Sequence, residues 1–278
     1  MIKNFEINTE KIKEQKKILL LSDLHKSKNK KNDKIEVLKK KLTSKTDDID
    51  IIIIAGDIID SPRDLNNKTF ISDLIITLAD LTKNKPTFIA LGNHDITIKP
   101  NGEKYLRSIL SAIKNVHCLE NGEVIDIKGI SISGFIPTMK YYKKPTEEEF
   151  LKQYNLVEGK EFNSDKYNIF ITHDPTVLIE ISKNQNKFIK DNTDLVVTGH
   201  MHNGLMPSIL HKITFHRGLV GPYKTVFPKY AHGKLKLKDT EVHILGAVNT
   251  LVKHPIINKI YSPHAEILTI KPKIKIKE

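Results

Sequence analysis

The sequence predicts an α/β fold, a four-layer α/β/β/α sandwich in which two packed mixed sheets are flanked by helices. Three observations carry that reading. Short apolar runs alternate with amphipathic segments through the first half, the alternation resumes in the second half, and the end of the chain turns β-rich. With 278 residues, 39% hydrophobic and 28% charged, the chain can bury a sizeable core and is not disordered wholesale. No long linker interrupts it, so residues 1–278 read as a single domain.

The elements follow in order. Residues 17–22 form a buried strand. Ile35, Val37, Leu38 and Leu42 have helical spacing. Residues 49–55 form a second buried strand, because consecutive isoleucines are β-branched and stiff. Residues 70–81 are a helix, with Leu74, Ile75, Leu78 and Leu81 on one stripe, 87–91 a third strand and 105–112 a short helix. Strand–helix alternation of this kind implies a largely parallel sheet covered on both faces. Residues 116–119, 123–127 and 129–135 are short strands, and Asn121-Gly122 and Lys128-Gly129 make the segment hairpin-rich. Thr146 and Glu149 have capping-box spacing at the start of a helix. Residues 168–172 and 195–198 are strands around a helix at 176–181. The end reads as antiparallel strands at 234–238, 241–245 and 266–270, with 271–278 as an edge strand or a frayed end.

Composition excludes several classes. The one cysteine, Cys118, rules out an internal disulfide and a cysteine zinc cage, and reads as a small buried apolar residue. No apolar run is as long as a membrane span, and Met1 is followed by neither a signal-peptide core nor a twin arginine. The chain therefore reads as cytoplasmic or membrane-peripheral, although one beginning after a removed anchor would look the same. Lys and Arg total 45 against 33 Asp and Glu, a net +12, which favours phosphorylated substrates, nucleic acid or an acidic membrane surface as partners.

Apolar strands repeatedly end in metal-ligand residue types. They run into Asp23-Leu24-His25, Gly56-Asp57, Gly92-Asn93-His94-Asp95, His173-Asp174 and Gly199-His200-Met201-His202. Residues i and i+2 leave a strand on one face, so Asp23 with His25, and His200 with His202, can aim at one ion. In a mostly parallel sheet all these carboxyl ends lie along one edge. Gly56, Gly92 and Gly199 precede candidate ligands, where glycine permits a sharp turn and close approach. Taken singly, each motif has an ordinary reading as a turn former or solvated loop. Together Asp23, Asp57, Asn93, His25, His173, His200 and His202 offer two carboxylates, an amide oxygen and four imidazoles. That set suits two ions sharing a carboxylate, and its mixed N/O chemistry suits Mn, Fe, Zn, Co or Ni.

These motifs resemble those of the calcineurin-like metallophosphoesterase superfamily, and their order along the chain extends the resemblance over most of it. The resemblance implies that Asp23, His25 and His202 hold one ion, that Asn93, His173 and His200 hold the other, and that Asp57 bridges them. It implies two transition-metal ions, most simply Mn, Fe or Zn, and attack on phosphorus by a bridging hydroxide. His94 would donate to the leaving oxygen, and Asp95 would orient His94 by accepting its other N–H. The segment Phe227-Pro228-Lys229-Tyr230, with His232-Gly233 and Glu266-Ile267-Leu268, is similar to a bacterial branch often tethered near the membrane.

Two positions depart from the family pattern. Lys26 stands where a small residue is common, and would either bind a substrate phosphate or point to solvent. Asn203 stands where relatives carry glycine, at the substrate edge. Arg217, beside His216, is a further phosphate-contact candidate. Tyr141-Tyr142-Lys143-Lys144 either flanks a substrate groove or, more simply, is a solvated loop. Most of the histidines outside the motifs (His117, His211, His216, His232, His243, His254 and His264) read as surface or core-edge residues.

The expected function is a metal-dependent phosphoesterase that hydrolyses a phosphate mono- or diester or a pyrophosphate, on a lipid-linked or small organic phosphate. Two alternatives are a nuclease, which the basic charge invites, and a non-catalytic scaffold, which would be expected to lack ligands.

Overall fold

The computed structural model describes residues 1–28, 33–43, 45, 47–97, 102–157, 159–185, 189–206, 213–222, 225–249 and 263–273. His211, His254 and residues 274–278 lie outside that set. Among the described residues two six-stranded sheets form, one in the order β1 (Ile2–Thr9), β12 (Ala265–Pro272), β2 (Lys16–Leu21), β3 (Ile51–Ala55), β4 (Thr87–Ala90), β5 (Val116–Cys118) and the other β10 (Gly233–Leu237), β11 (Thr240–Ile244), β9 (Leu195–Thr198), β8 (Tyr167–Thr172), β7 (Ile130–Phe135), β6 (Val124–Ile127). Both are mixed. In the first, β2, β3, β4 and β5 are parallel. In the second, β7, β8 and β9 are parallel. Every residue of β3, β4, β7, β8 and β9 is buried, Ser131, Ser133 and Asn168 included, as strands covered on both faces must be. Residues of both sheets belong to one apolar cluster, so the shared core lies between them.

The helices follow from their spacing. α1 (Ile35–Leu42) buries Ile35, Leu38 and Leu42. α2 (Lys68–Thr82) is capped by Asn67, whose side chain accepts from the Phe70 N–H, and ends on Lys83 in the left-handed region. α3 (Asn93–Ile96) is a single turn, and α4 (Gly102–Ser111) buries Leu106, Ile109 and Leu110. α6 (Glu147–Tyr154) starts on Thr146, which accepts from the Glu149 N–H as the capping-box spacing predicts. α7 (Thr176–Asn184) follows β8.

Four expectations change. Residues 2–9 form β1 (Ile2–Thr9), for which the sequence reading has no counterpart; it pairs in parallel with β12 (Ala265–Pro272). β12 also leaves its expected partners. β10 (Gly233–Leu237) and β11 (Thr240–Ile244) form the expected hairpin, but β12 crosses to the first sheet and runs antiparallel to β2. Lys128-Gly129 does close the β6 (Val124–Ile127)/β7 hairpin, whereas Asn121-Gly122 carries the chain from β5 in one sheet to β6 in the other. Finally, Tyr141 and Tyr142 are not in a solvated loop. They lie in α5 (Met139–Lys143) and are buried, with the Tyr141 hydroxyl donating to Asp174 at 3.0 Å. Two adjacent aromatic rings supply enough apolar area to pull a short turn into the core. Cys118 is partly buried, and burial pushes its thiol up to about 12.

Candidate metal centre

The site forms where the carboxyl ends of β2, β3 and β4 in one sheet meet those of β8 and β9 in the other. The convergence is not the strand-face geometry that the i, i+2 spacing suggests. β2 ends at Leu21 and β9 at Thr198, and the ligand candidates sit just beyond. Asp23 (φ 53°), His25 (φ 40°), Asp57 (φ 54°), His200 (φ 68°) and His202 (φ 48°) are all in the left-handed region. Each costs roughly 1–2 kcal/mol relative to an ordinary conformation. Strain of this kind persists only where surrounding contacts over-determine it, and it concentrates at functional sites. Here the Asp23 N–H donates to the Gly56 carbonyl, His25 N–H to Asp57 and Lys26 N–H to Ile58, each at 2.9 Å. The two loops thus stay zipped together beyond their strands.

Two groups of side chains result. Asp23, His25 and His202 offer one ligand atom each, all within 4.8 Å of one another, as do Asp57, His173 and His200. Asp23 Oδ2 accepts from the Ser22 hydroxyl at 2.6 Å and the His200 N–H at 3.1 Å. Its other oxygen, Oδ1, lies 3.2 Å from His202 Nε2, 3.6 Å from His25 Nε2 and 3.8 Å from His173 Nε2. That buried oxygen accepts no hydrogen bond, and neither does the buried Asn93 Oδ1. A buried carboxylate oxygen left unbonded among imidazole nitrogens is costly unless a cation satisfies it, so the donor set fits a metal. Asp57 links the groups. Its Oδ1 accepts the His94 N–H at 2.8 Å, and its Oδ2 faces His173 Nε2 at 3.1 Å and His25 Nε2 at 3.6 Å.

Neighbours fix the rings. His173 Nδ1 donates to the Ala55 carbonyl at 2.6 Å, which presents Nε2 to Asp57. The Tyr142 ring packs 5.7 Å from His200 and 6.4 Å from His173. Gly56 and Gly92 permit the approach: a Cβ on Gly56 would lie 2.4 Å from His173 Nδ1, and one on Gly92 2.3 Å from Asp57 Oδ1.

The electrostatics follow. Burial lowers His25 and His200, the latter to about 4, so both imidazoles are neutral at pH 7, the form that binds metal. Burial would also lower His173, but the Asp57 charge and hydrogen bond raise it to about 10. Burial would raise Asp23 and Asp57, yet the surrounding imidazoles hold both well below the usual carboxylate range.

His94 sits beside the first group, its ring edge-on to His25 with centroids 4.7 Å apart. The expected His94–Asp95 pair does not form. His94 Nδ1 meets the Asp60 carbonyl at 2.6 Å. The fully buried Asp95 carboxylate instead accepts from Ile58 N–H at 2.9 Å, Ile59 N–H at 3.2 Å and Gly92 N–H at 2.9 Å. From the first turn of α3 it points back at the helix start, where fixed backbone donors take it. Burial and the Asp57 charge push its pKa up to about 7. Sequence reasoning missed Asp60, whose carboxylate lies within 4.8 Å of ligand atoms on His25 and His94. The signal was its position three residues after Asp57.

Lys26 neither faces a substrate nor points to solvent. It is 4% exposed, and its ammonium pairs with Asp33 at 2.8 Å and Asp73 at 3.2 Å. Burial would lower its pKa, but those two carboxylates raise it. Asn203 is buried against Gly246, where an added Cβ would lie 2.3 Å from its Nδ2. Arg217 is exposed and donates to the Phe227 carbonyl at 3.3 Å, outside both ligand groups.

A family model described as calcineurin-like phosphoesterase matches residues 16–204. The chain is 27% identical over 223 residues to an uncharacterized metallophosphoesterase of Campylobacter jejuni, covering 79% of this chain and 52% of that protein. A metallophosphoesterase of Helicobacter pylori is 25% identical over 208 residues, covering 73% and 49%. The chain thus spans about half the length of these relatives. A dimetal phosphatase from Danio rerio aligns at a TM-score of 0.48 and 8% identity, over 84% of this chain and 87% of that one.

Proposed function

Because this chain belongs to the calcineurin-like phosphoesterase family, we propose that it hydrolyses a phosphate ester or pyrophosphate bond with the help of two cations. The observation that carries the reading is the unbonded Asp23 Oδ1, facing three imidazole nitrogens beside a second group that Asp57 joins to the first. Asp23, His25 and His202 would hold one cation, and Asn93, His173 and His200 the other, with Asp57 between them. When bound, two such cations polarise a phosphoryl oxygen and lower the pKa of a shared water. Nitrogen and oxygen donors together favour Mn, Fe or Zn over Ca or Mg.

The chain's own groups do the rest. His94 donates toward the leaving oxygen. Its Nδ1–H is engaged on the Asp60 carbonyl, so Nε2 can donate only from the imidazolium. Asp95 acts at one remove, tying the loop after β3 to the start of α3 and so setting Asp57 against Asn93 and His94.

A small organic or lipid-linked phosphate is the substrate class we favour. The test is a panel of aryl phosphomonoester, aryl phosphodiester, pyrophosphate and single-stranded DNA, each assayed with Mn-loaded protein and after chelation. Metal-dependent turnover of a small ester or pyrophosphate supports the reading. Faster turnover of DNA than of the small diester reverses it in favour of a nuclease, and a metal-loaded protein inert on the whole panel contradicts it.

A further inference from the structure

Beyond the metal centre, the largest anomaly is an apolar stretch left in water. Ile213 (68% exposed), Phe215 (83%), Leu219 (41%), Val220 (44%), Val226 (71%) and Phe227 (59%) fall within one short stretch of chain. Among the described residues the other large exposed apolar side chains, Val37, Ile76, Tyr105 and Leu156, are scattered. Single exposed apolar residues are ordinary, whereas a contiguous set marks an interaction site.

The backbone gives this stretch a defined shape. Val220 and Val226 form an antiparallel bridge, and the Gly221 N–H donates to Thr225 at 2.9 Å and the Phe227 N–H to Leu219 at 3.1 Å. Val220 therefore stands opposite Val226, and Leu219 opposite Phe227. Phe227 is in the left-handed region at φ 50°, so regular strand alternation does not run through it; all four side chains are open to solvent, and a fluid bilayer interface accommodates such a tip without a matching groove.

Charge points the same way. Between Asp194 and Asp239 the sequence has no Asp or Glu, while basic residues recur from Lys212 to Lys238. Arg217 is exposed beside the ribbon. Lys229 pairs with Glu180 at 3.7 Å, and Lys183 donates to the Tyr230 hydroxyl at 2.8 Å. Apolar side chains flanked by cations suit an anionic lipid surface. The ribbon's base is held at the metal centre: the Gly204 carbonyl, two residues after His202, accepts the Leu219 N–H at 2.8 Å and the Val220 N–H at 3.1 Å.

We propose that residues 213–222 and 225–227 dock the protein on an anionic phospholipid bilayer, with Phe215, Val226 and Phe227 entering the interface and Arg217 meeting the headgroups. This does not depend on the phosphoesterase reading. The test is co-sedimentation of the full chain with vesicles of phosphatidylcholine alone or mixed equally with phosphatidylglycerol, at low and high salt. The protein should bind the mixed vesicles and be released by salt. Phe215→Ser with Phe227→Ser should weaken binding about tenfold or more with an unchanged thermal midpoint, and Ile76→Ser should not. Absence of binding, equal binding to neutral vesicles, or binding indifferent to the double substitution overturns the proposal. So does concentration-dependent self-association that the double substitution abolishes, which makes the ribbon a contact between copies.

Discussion

Two glycines with nearly the same φ separate strain from crowding at the metal centre. Gly56 has φ +88° and Gly129 has φ +83°. A methyl group on Gly129 meets nothing within 4 Å, so Gly129→Ala adds backbone strain alone, about 1–2 kcal/mol. The same methyl on Gly56 lies 2.4 Å from His173 Nδ1 and 2.9 Å from the Gly92 Cα. That imidazole cannot easily yield, because Ala55 holds it at 2.6 Å and Asp57 Oδ2 lies 3.1 Å beyond. Overpacking adds about 1–3 kcal/mol, giving about 2–5 kcal/mol in all for Gly56→Ala. Urea unfolding of both variants at one metal concentration reads the difference, expected at about 1–3 kcal/mol. Metal titration should show Gly56→Ala weakened about 10–100-fold, the scale for disturbing a ligand's orientation. If Gly56→Ala is no less stable than Gly129→Ala and binds metal like the parent, the close approach across the sheets is not what the site requires.

His94→Ala should lower turnover about 10²–10⁴-fold while metal content stays at the parent level; loss of metal in this variant would make His94 a ligand instead. Burial opposes the raised His173 pKa, but Asp57 lifts it to about 10, so at neutral pH a cation must displace its proton. Metal affinity should therefore fall as pH falls, and calorimetry in buffers of different ionisation enthalpy should detect the released proton; affinity flat with pH would refute this. In the core between the sheets His243 Nδ1 meets Glu266 Oε2 at 2.7 Å, with the imidazole fully buried. Burial would lower that His243 pKa, but Glu241 and Glu266 raise it. Its stabilisation is present below the unfolded pKa and lost as pH rises through the raised folded one, so the parent should lose stability relative to Glu266→Gln as pH climbs above the unfolded histidine value of about 6.5. A constant difference through that rise would rule the pair out as the cause.

The parts of the fold legible in sequence are those whose signal is local. β2, β3, β4, β8 and β9 are apolar runs that no exposed element could carry, and each ends in a metal-ligand residue type. β1 was hidden because Ile2 breaks the alternation of Phe5 and Ile7, and its partner β12 lies at the other end of the chain. Placing β12 in the first sheet depends on that same pairing, which no local pattern encodes. At the site, the residue types were legible and their conformations were not. A left-handed φ at Asp23 or His200 is held by contacts remote in sequence, the Gly56 carbonyl for Asp23 and the Asp23 carboxylate for His200. Lys26 was misread because Asp33 and Asp73 meet it only after folding, and Asp95 because three backbone N–H groups outcompete a neighbouring imidazole. His243 is not set apart in the sequence from the other histidines that read as surface or core-edge residues, since nothing local announces a glutamate arriving from another strand.

The most direct test counts metal. Equilibrium dialysis against Mn, followed by elemental analysis of the full chain, should find two ions per chain, and Asp57→Asn should lower the occupancy of both together because its carboxylate faces both ligand groups. A parent that binds one ion or none, or an Asp57→Asn variant that still binds two as tightly, would contradict the shared centre.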